Sequence, residues 1–205
     1  MITPSDALQR LKDGNKRFVS GVRSIDTLIK QTQRSELLAG QEPFAIILGC
    51  SDSRVPAEIV FDQGLGDLFV IRVAGNIVAP SQVGSIEFAT ERFNTRLVVV
   101  LGHSMCGAVM ATIEELEQPS KDRSSNVLSI VNRIRPSVEP LYSTHLRNNP
   151  DQLLHAAIRA NVLTATNHLR HGSQVLEQLI LKNEITIVGA EYSLETGVVE
   201  FFETV

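Results

Sequence analysis

The chain has 205 residues, 43% of them apolar and 20% charged, with a net charge of −4; that is enough for one globular domain with a sizeable core. The acidic balance and the absence of tryptophan argue against a nucleic-acid partner. No apolar run approaches the length of a membrane span, and the start lacks the basic and apolar regions of a secretory leader, so the expectation is a cytoplasmic protein with no membrane partner.

In chain order, Thr3, Pro4 and Asp6 make a helix start: a capping hydroxyl, a proline at the first helical position and an acidic residue resembling the partner in a capping box. Ala7, Leu8, Leu11 and Phe18 form an apolar stripe that carries this helix to about residue 19, and a second helix is expected over 26–38. Neither has a strand to cross back to, so the pair reads as an arm that wraps a neighbouring subunit. Apolar, β-branched runs predict buried strands at 44–49, 68–73 and 96–101,. A short helix over 56–61 and a longer one over 81–93 join them. A helix over 106–117 springs from the loop after the third strand. Beyond a polar break at 119–125, helices are expected over 127–137 and 151–182, with Pro136, Pro140 and Pro150 interrupting,. A fourth strand at 185–189 and a last one at 198–201, paired antiparallel across a turn at Gly197, complete the chain. Strands alternating with helices predict an α/β fold: a mostly parallel central sheet of four strands plus an antiparallel edge strand, flanked by helices, with an N-terminal helical arm. Gly64 and Gly66 do not make a dinucleotide fingerprint, and the segment from Gly189 is not a nucleophile elbow,.

Open α/β sheets keep their ligands at the carboxyl ends of the strands. The first strand stops at Gly49 and delivers Cys50; the third stops at Gly102 and delivers His103 and Cys106. These are the only two cysteines, and in such a chain they argue for metal or catalysis over a disulfide. A lone cysteine is often just a small buried hydrophobe, but two at matching strand ends, one of them three residues after a histidine, form a three-ligand zinc set with one position left open, the pattern of a catalytic site. Alternate residues of an extended loop share a face, which puts Asp52 and Arg54 beside Cys50. Asp52 can fill the fourth zinc position and close the site, or pair with Arg54 and leave that position to water. His145, His155, His168 and His171 lie in helical, arginine-rich surroundings and read as surface residues.

The run Cys50-Ser51-Asp52-Ser53-Arg54-Val55, followed by His103, Cys106 and Gly107, closely resembles the β-class carbonic anhydrases. The similarity continues through 61–72, Ala74-Gly75-Asn76 and Gly84-Ser85-Ile86-Glu87 and is dense over 41–117. The resemblance implies a zinc enzyme that reversibly hydrates carbon dioxide to bicarbonate and a proton. It implies that Cys50, His103 and Cys106 hold Zn2+, joined by Asp52 in a closed state only, and that Asp52 and Arg54 form the catalytic dyad. It implies that Gln41 contacts substrate across a subunit boundary and that Phe69 lines the same pocket, in a homodimer or dimer of dimers. The backbone N–H of Gly107, at a helix start, is a further candidate donor to substrate. On this reading residues 1–205 form one domain, with an arm over 1–40, the zinc-site core over 41–117 and helices and strands over 118–205. Two positions depart from the pattern. Val73 stands where many members have asparagine, and Ile47 stands where members with an allosteric bicarbonate site carry tryptophan, although Gly49 and Val55 of that pocket are present. Two thiolates and a neutral imidazole leave the zinc centre formally neutral, so activity is expected to favour alkaline pH. The competing readings are a non-catalytic zinc-binding protein on the same fold, with Asp52 closing the site for good, and a thiol hydrolase using a free Cys–His pair.

Overall fold

The computed structural model describes residues 2–32, 36–119 and 122–202. Thr3 caps α1 (Pro4–Val19) by accepting the Asp6 backbone N–H, and the helix buries Ala7 and Leu11. α2 (Ile25–Thr32) follows, and Glu36–Ala39 forms a 3-10 turn. The single helix expected over 26–38 is therefore shorter, and its residues 33–35 lie outside the described residues. The chain then forms β1 (Ala45–Gly49), α3 (Ala57–Val60), β2 (Leu68–Arg72), α4 (Pro80–Arg92), β3 (Leu97–His103), α5 (Gly107–Glu117) and α6 (Ser125–Tyr142). It ends with α7 (Pro150–His171), α8 (Gln174–Leu181), β4 (Thr186–Tyr192) and β5 (Val199–Phe201).

The five strands lie in the order β2-β1-β3-β4-β5. The first three pairings are parallel and β4–β5 is antiparallel, which is the expected α/β architecture. β1 and β3 are buried at every residue, because helices cover both faces of a parallel sheet. On one face Ile47, Val99, Leu101, Val188 and Ala190 meet Ala7 and Leu11 of α1, Ala57 of α3 and Phe61. On the other, Ile46, Leu48, Val98, Val100 and Ile187 meet Ile86 of α4, Val162 and Leu169 of α7 and Leu176 of α8. A third apolar cluster sits at the carboxyl end of the sheet, where Val109, Ile134, Val138, Ala157 and Ile158 of α5, α6 and α7 pack around Cys50 and Cys106. α7 lies close against β3: a Cβ on Gly102 would stand 2.4 Å from Val162 Cγ2.

Three local expectations are corrected. Pro136 and Pro140 do not interrupt a helix but lie inside α6. Both occupy its exposed face, so the carbonyls they leave without N–H partners, those of Asn132 and Pro136, are free to turn to water. Pro150 starts α7 at its first turn, where a missing N–H costs nothing. The helix expected over 151–182 is two helices, divided at Gly172 and Ser173, and the Ser173 hydroxyl caps α8 by accepting the Leu176 N–H. β4 also runs past 189 to Tyr192, because it has partners on both sides: His103 of β3 and Val199 of β5. Among the described residues no helix is long and apolar enough to cross a membrane.

Candidate functional site

Cys50 is the first residue past β1, His103 the last of β3, and Cys106 the N-cap of α5. The parallel β1–β3 register brings the two strand ends side by side, and one donor atom from each of the three residues lies within 4.8 Å of the others. Among the described residues this is the only such group that could hold a metal ion. All three are buried, His103 completely. The short link from His103 to Cys106 turns on Met105, a non-glycine residue at φ 55°, a conformation that persists only where the surroundings impose it.

His103 Nδ1 lies 2.9 Å from the Ser104 carbonyl oxygen. A carbonyl only accepts, so Nδ1 carries the hydrogen and Nε2 presents a lone pair. That Nε2 is buried with no hydrogen-bond partner. Cys50 Sγ accepts the Gly75 N–H at 3.3 Å. The two thiols lie close enough to bias each other's protonation. The hydrogen bond from Cys106 is the largest influence holding Cys50 well below the usual thiol range, and the same bond drives Cys106 upward. Burial disfavours a charged His103, yet the nearby negative charge of Cys50 outweighs it and raises the imidazole. A divalent cation resolves all three conditions together: it ionises both thiols and takes the orphaned Nε2 lone pair. The residues therefore fit a zinc ion.

Asp52 and Arg54 form a two-pronged pair. Arg54 Nε donates to Asp52 Oδ1 at 2.9 Å and Nη2 to Oδ2 at 2.7 Å, while the Arg54 backbone N–H also donates to Oδ1 at 2.9 Å. The guanidinium holds the Asp52 carboxyl well below the usual carboxylate range. Asp52 Oδ2 stands 3.9 Å from His103 Nε2, so the carboxylate borders the cluster while both of its oxygens are engaged elsewhere. Gly107, the first residue of α5, has no atom within 4 Å of where a Cβ would be, which leaves its backbone accessible beside Cys106.

Two residues named from the sequence stand elsewhere in the same chain. Gln41 precedes β1 whereas Cys50 follows it, and Gln41 lines a surface cleft with Phe44, Arg92 and Phe93. Phe69 pairs with Ile46 in the β1–β2 register, three residues before Gly49, and stacks against Phe88 and Phe93 with centroids 6.3 and 6.0 Å away. Other contributors escaped the sequence reading. Arg72, at the end of β2, donates from Nε to the Cys50 carbonyl at 3.1 Å and from Nη2 to the Asp52 carbonyl at 2.6 Å, clamping the loop that carries Cys50 and Asp52. A charge ending an apolar strand was the available signal. The Ser104 carbonyl and the Gly75 N–H act through backbone, which residue type does not encode.

A protein-family model described as carbonic anhydrase matches residues 45–199. Carbonic anhydrase 2 of Mycobacterium tuberculosis is 38% identical over 199 residues, covering 95% of this chain and 90% of that protein. The carbonic anhydrase of Mycolicibacterium smegmatis is 40% identical over 197 residues, covering 96% and 92%. Among solved structures, a tetrameric β-carbonic anhydrase from the filamentous ascomycete Sordaria macrospora superimposes with a TM-score of 0.72 at 21% identity, covering 84% of this chain and 86% of that one; at that identity it speaks for the fold.

Proposed function

The chain belongs to the β-class carbonic anhydrases, a zinc-dependent family, and is an enzyme that reversibly hydrates carbon dioxide to bicarbonate and a proton, and from that premise we propose that the reaction takes place at Cys50, His103 and Cys106, with Asp52 and Arg54 as its catalytic pair. The observation that supports this most is the completely buried His103 Nε2, a lone pair without a partner, aimed among two buried thiols beside a carboxylate locked by Arg54.

Cys50 and Cys106 as thiolates, with neutral His103, would hold the zinc. When bound, zinc supplies Lewis-acid chemistry, acidifying water so that a nucleophile exists at working pH. Asp52 would be the acceptor that takes a hydrogen from the attacking water or hydroxide and so orients its lone pair toward carbon dioxide. Arg54 occupies both oxygens of Asp52 and keeps the carboxylate from closing the site as a fourth ligand. The Gly107 N–H, at the positive end of α5, is placed to donate to the oxygen that gains charge. The product is bicarbonate, and the released proton passes to solvent.

Gln41 and Phe69 act on this reading from a second copy of the chain, since neither reaches Cys50 within its own. The enzyme is then a homodimer or a dimer of dimers, with the N-terminal arm against the partner. Both cysteines are free and buried, as suits a reducing compartment, and we place the enzyme in the cytoplasm.

Metal analysis combined with stopped-flow carbon dioxide hydration tests the site. One zinc per chain is expected, and His103→Ala should lose both the zinc and the activity. A His103→Ala enzyme that keeps both would move the site elsewhere.

A further inference from the structure

We infer that Asn161 is a positioning residue for the Cys50 ligand, acting from α7 through the backbone of Gly75. The inference rests on Cys50 being a zinc ligand. Of the buried residues of α7, only Asn161 and Thr166 are polar. Thr166 spends its hydroxyl inside its own helix, on the Val162 carbonyl at 2.8 Å. Asn161 is 3% exposed, yet its Nδ2 reaches out of the helix to the Gly75 carbonyl at 2.8 Å, 86 residues away in sequence. Burying an amide is unfavourable unless it is paired, and an apolar residue would pack at less cost. What the bond holds gives it a purpose.

Gly75 sits at φ 69°, and a Cβ there would stand 2.6 Å from Ile134 Cδ1 and 3.0 Å from Ala108 Cβ. Its N–H donates to Cys50 Sγ. The N–H and C=O of one residue leave the same Cα. With the donor on one side bound to sulfur and the acceptor on the other pinned by Asn161, the residue cannot rotate away from the ligand. The relay runs from the Asn161 amide to the Gly75 carbonyl, and from the Gly75 N–H to the Cys50 thiolate. Such a bond absorbs part of the thiolate's charge and fixes the direction of its remaining lone pairs. Outer-shell partners of this kind are worth roughly 10- to 100-fold in metal affinity.

The test compares Asn161→Leu, which removes the donor while keeping bulk, with Thr166→Val, which removes a buried hydroxyl on the same helix that has no link to the site. In competition with a chelator, Asn161→Leu should bind zinc about 10-fold more weakly. In the cobalt-substituted protein its thiolate-to-metal charge-transfer band should shift. Thr166→Val should lower the melting temperature yet leave zinc affinity and the cobalt spectrum at wild-type values. Wild-type affinity and spectrum in Asn161→Leu, or equal loss of affinity in both variants, would overturn the inference. Should Asn161→Leu fail to fold, the wild-type holoenzyme decides: loaded with an NMR-active cadmium isotope, its Gly75 amide proton should show scalar coupling to the metal through Cys50, and absence of that coupling overturns the relay. A wild-type chain that binds no zinc would bring down the functional reading itself, whereas wild-type binding with an insensitive Asn161→Leu removes only this inference.

Discussion

On the proposed mechanism Asp52 has two uses that exclude each other, and Arg54 decides between them. Three hydrogen bonds from one residue, one from its backbone and two from its guanidinium, fix both carboxylate oxygens. The Asp52 side chain is 17% exposed and that of Arg54 53%, so the strength of the pair comes from its two-pronged, charge-assisted geometry rather than from burial. Replacing Arg54 by alanine frees the carboxylate to swing onto the metal. Arg54→Ala is therefore expected to keep its zinc and lose activity by roughly 100-fold, read as kcat/KM for carbon dioxide hydration beside metal content. Asp52→Asn cannot close the site as an anion, but it also cannot accept the nucleophile's hydrogen as a carboxylate does. It should lose at least about 100-fold at every pH. Full activity in either variant with normal zinc content would remove the dyad from the mechanism.

At the scale of elements, the β4–β5 pairing sets Glu191 directly opposite Glu200, two like charges across an antiparallel ladder that would repel unless bridged. Arg159 of α7 bridges them, in a two-pronged pair with Glu200 at 2.8 and 3.0 Å and at 3.5 Å from Glu191. Burial dominates at Glu191 and raises its carboxyl above the usual range, against the opposing pull of His155 and Arg159, with Glu200 adding to the rise. The folded state thus holds that proton more tightly than the unfolded one, so stability is greatest below the ordinary carboxylate range and declines as pH rises through it toward the folded value. Glu191→Gln should flatten that decline in melting temperature against pH. Arg159→Met, which strands Glu191 in its buried position, should cost about 3 kcal/mol at neutral pH by chemical denaturation, and less in acid. None of this network is visible in the sequence, since Arg159 lies on a helix separated by α8 from the β4–β5 hairpin that carries the two glutamates. The metal cluster is visible because each ligand sits one short step past a locally coded signal, a β-branched run ending at Gly49 or Gly102. Asn161 is not, because an asparagine within a helix reads as surface until the packing of α7 is known. Pro136 and Pro140 mislead for the opposite reason: the local rule against proline within a helix is sound, but it weakens where the released carbonyls face water.

At the scale of the whole molecule, a single chain leaves its proposed substrate contacts apart. Gln41 and Cys50 lie on either side of the five-residue strand β1, a span on the order of 16 Å at 3.3 Å per residue, beyond the reach of a side chain. A second copy can bring them together. The surface of the arm is suited to such a contact: Ile25 is 73% exposed, with Leu28 and Ile29 of α2 open beside it, and contiguous apolar patches of this kind mark interfaces. Sedimentation should therefore give a dimer or a multiple of it, and Ile25→Asp with Leu28→Asp should yield a zinc-loaded species of lower mass and much reduced activity. Complementation tests the cross-subunit role directly. Gln41→Ala lacks the donor and Cys50→Ser lacks the metal, so each alone should be impaired. In a two-fold dimer, a mixed pair joins the intact zinc site of the Gln41→Ala chain to the Gln41 of its Cys50→Ser partner. Equal co-expression makes half the dimers mixed with one good site in each, and should restore about a quarter of wild-type activity. If the mixture is no more active than its separate components, Gln41 does not reach across the boundary. If Gln41→Ala alone is fully active, Gln41 is no substrate contact at all.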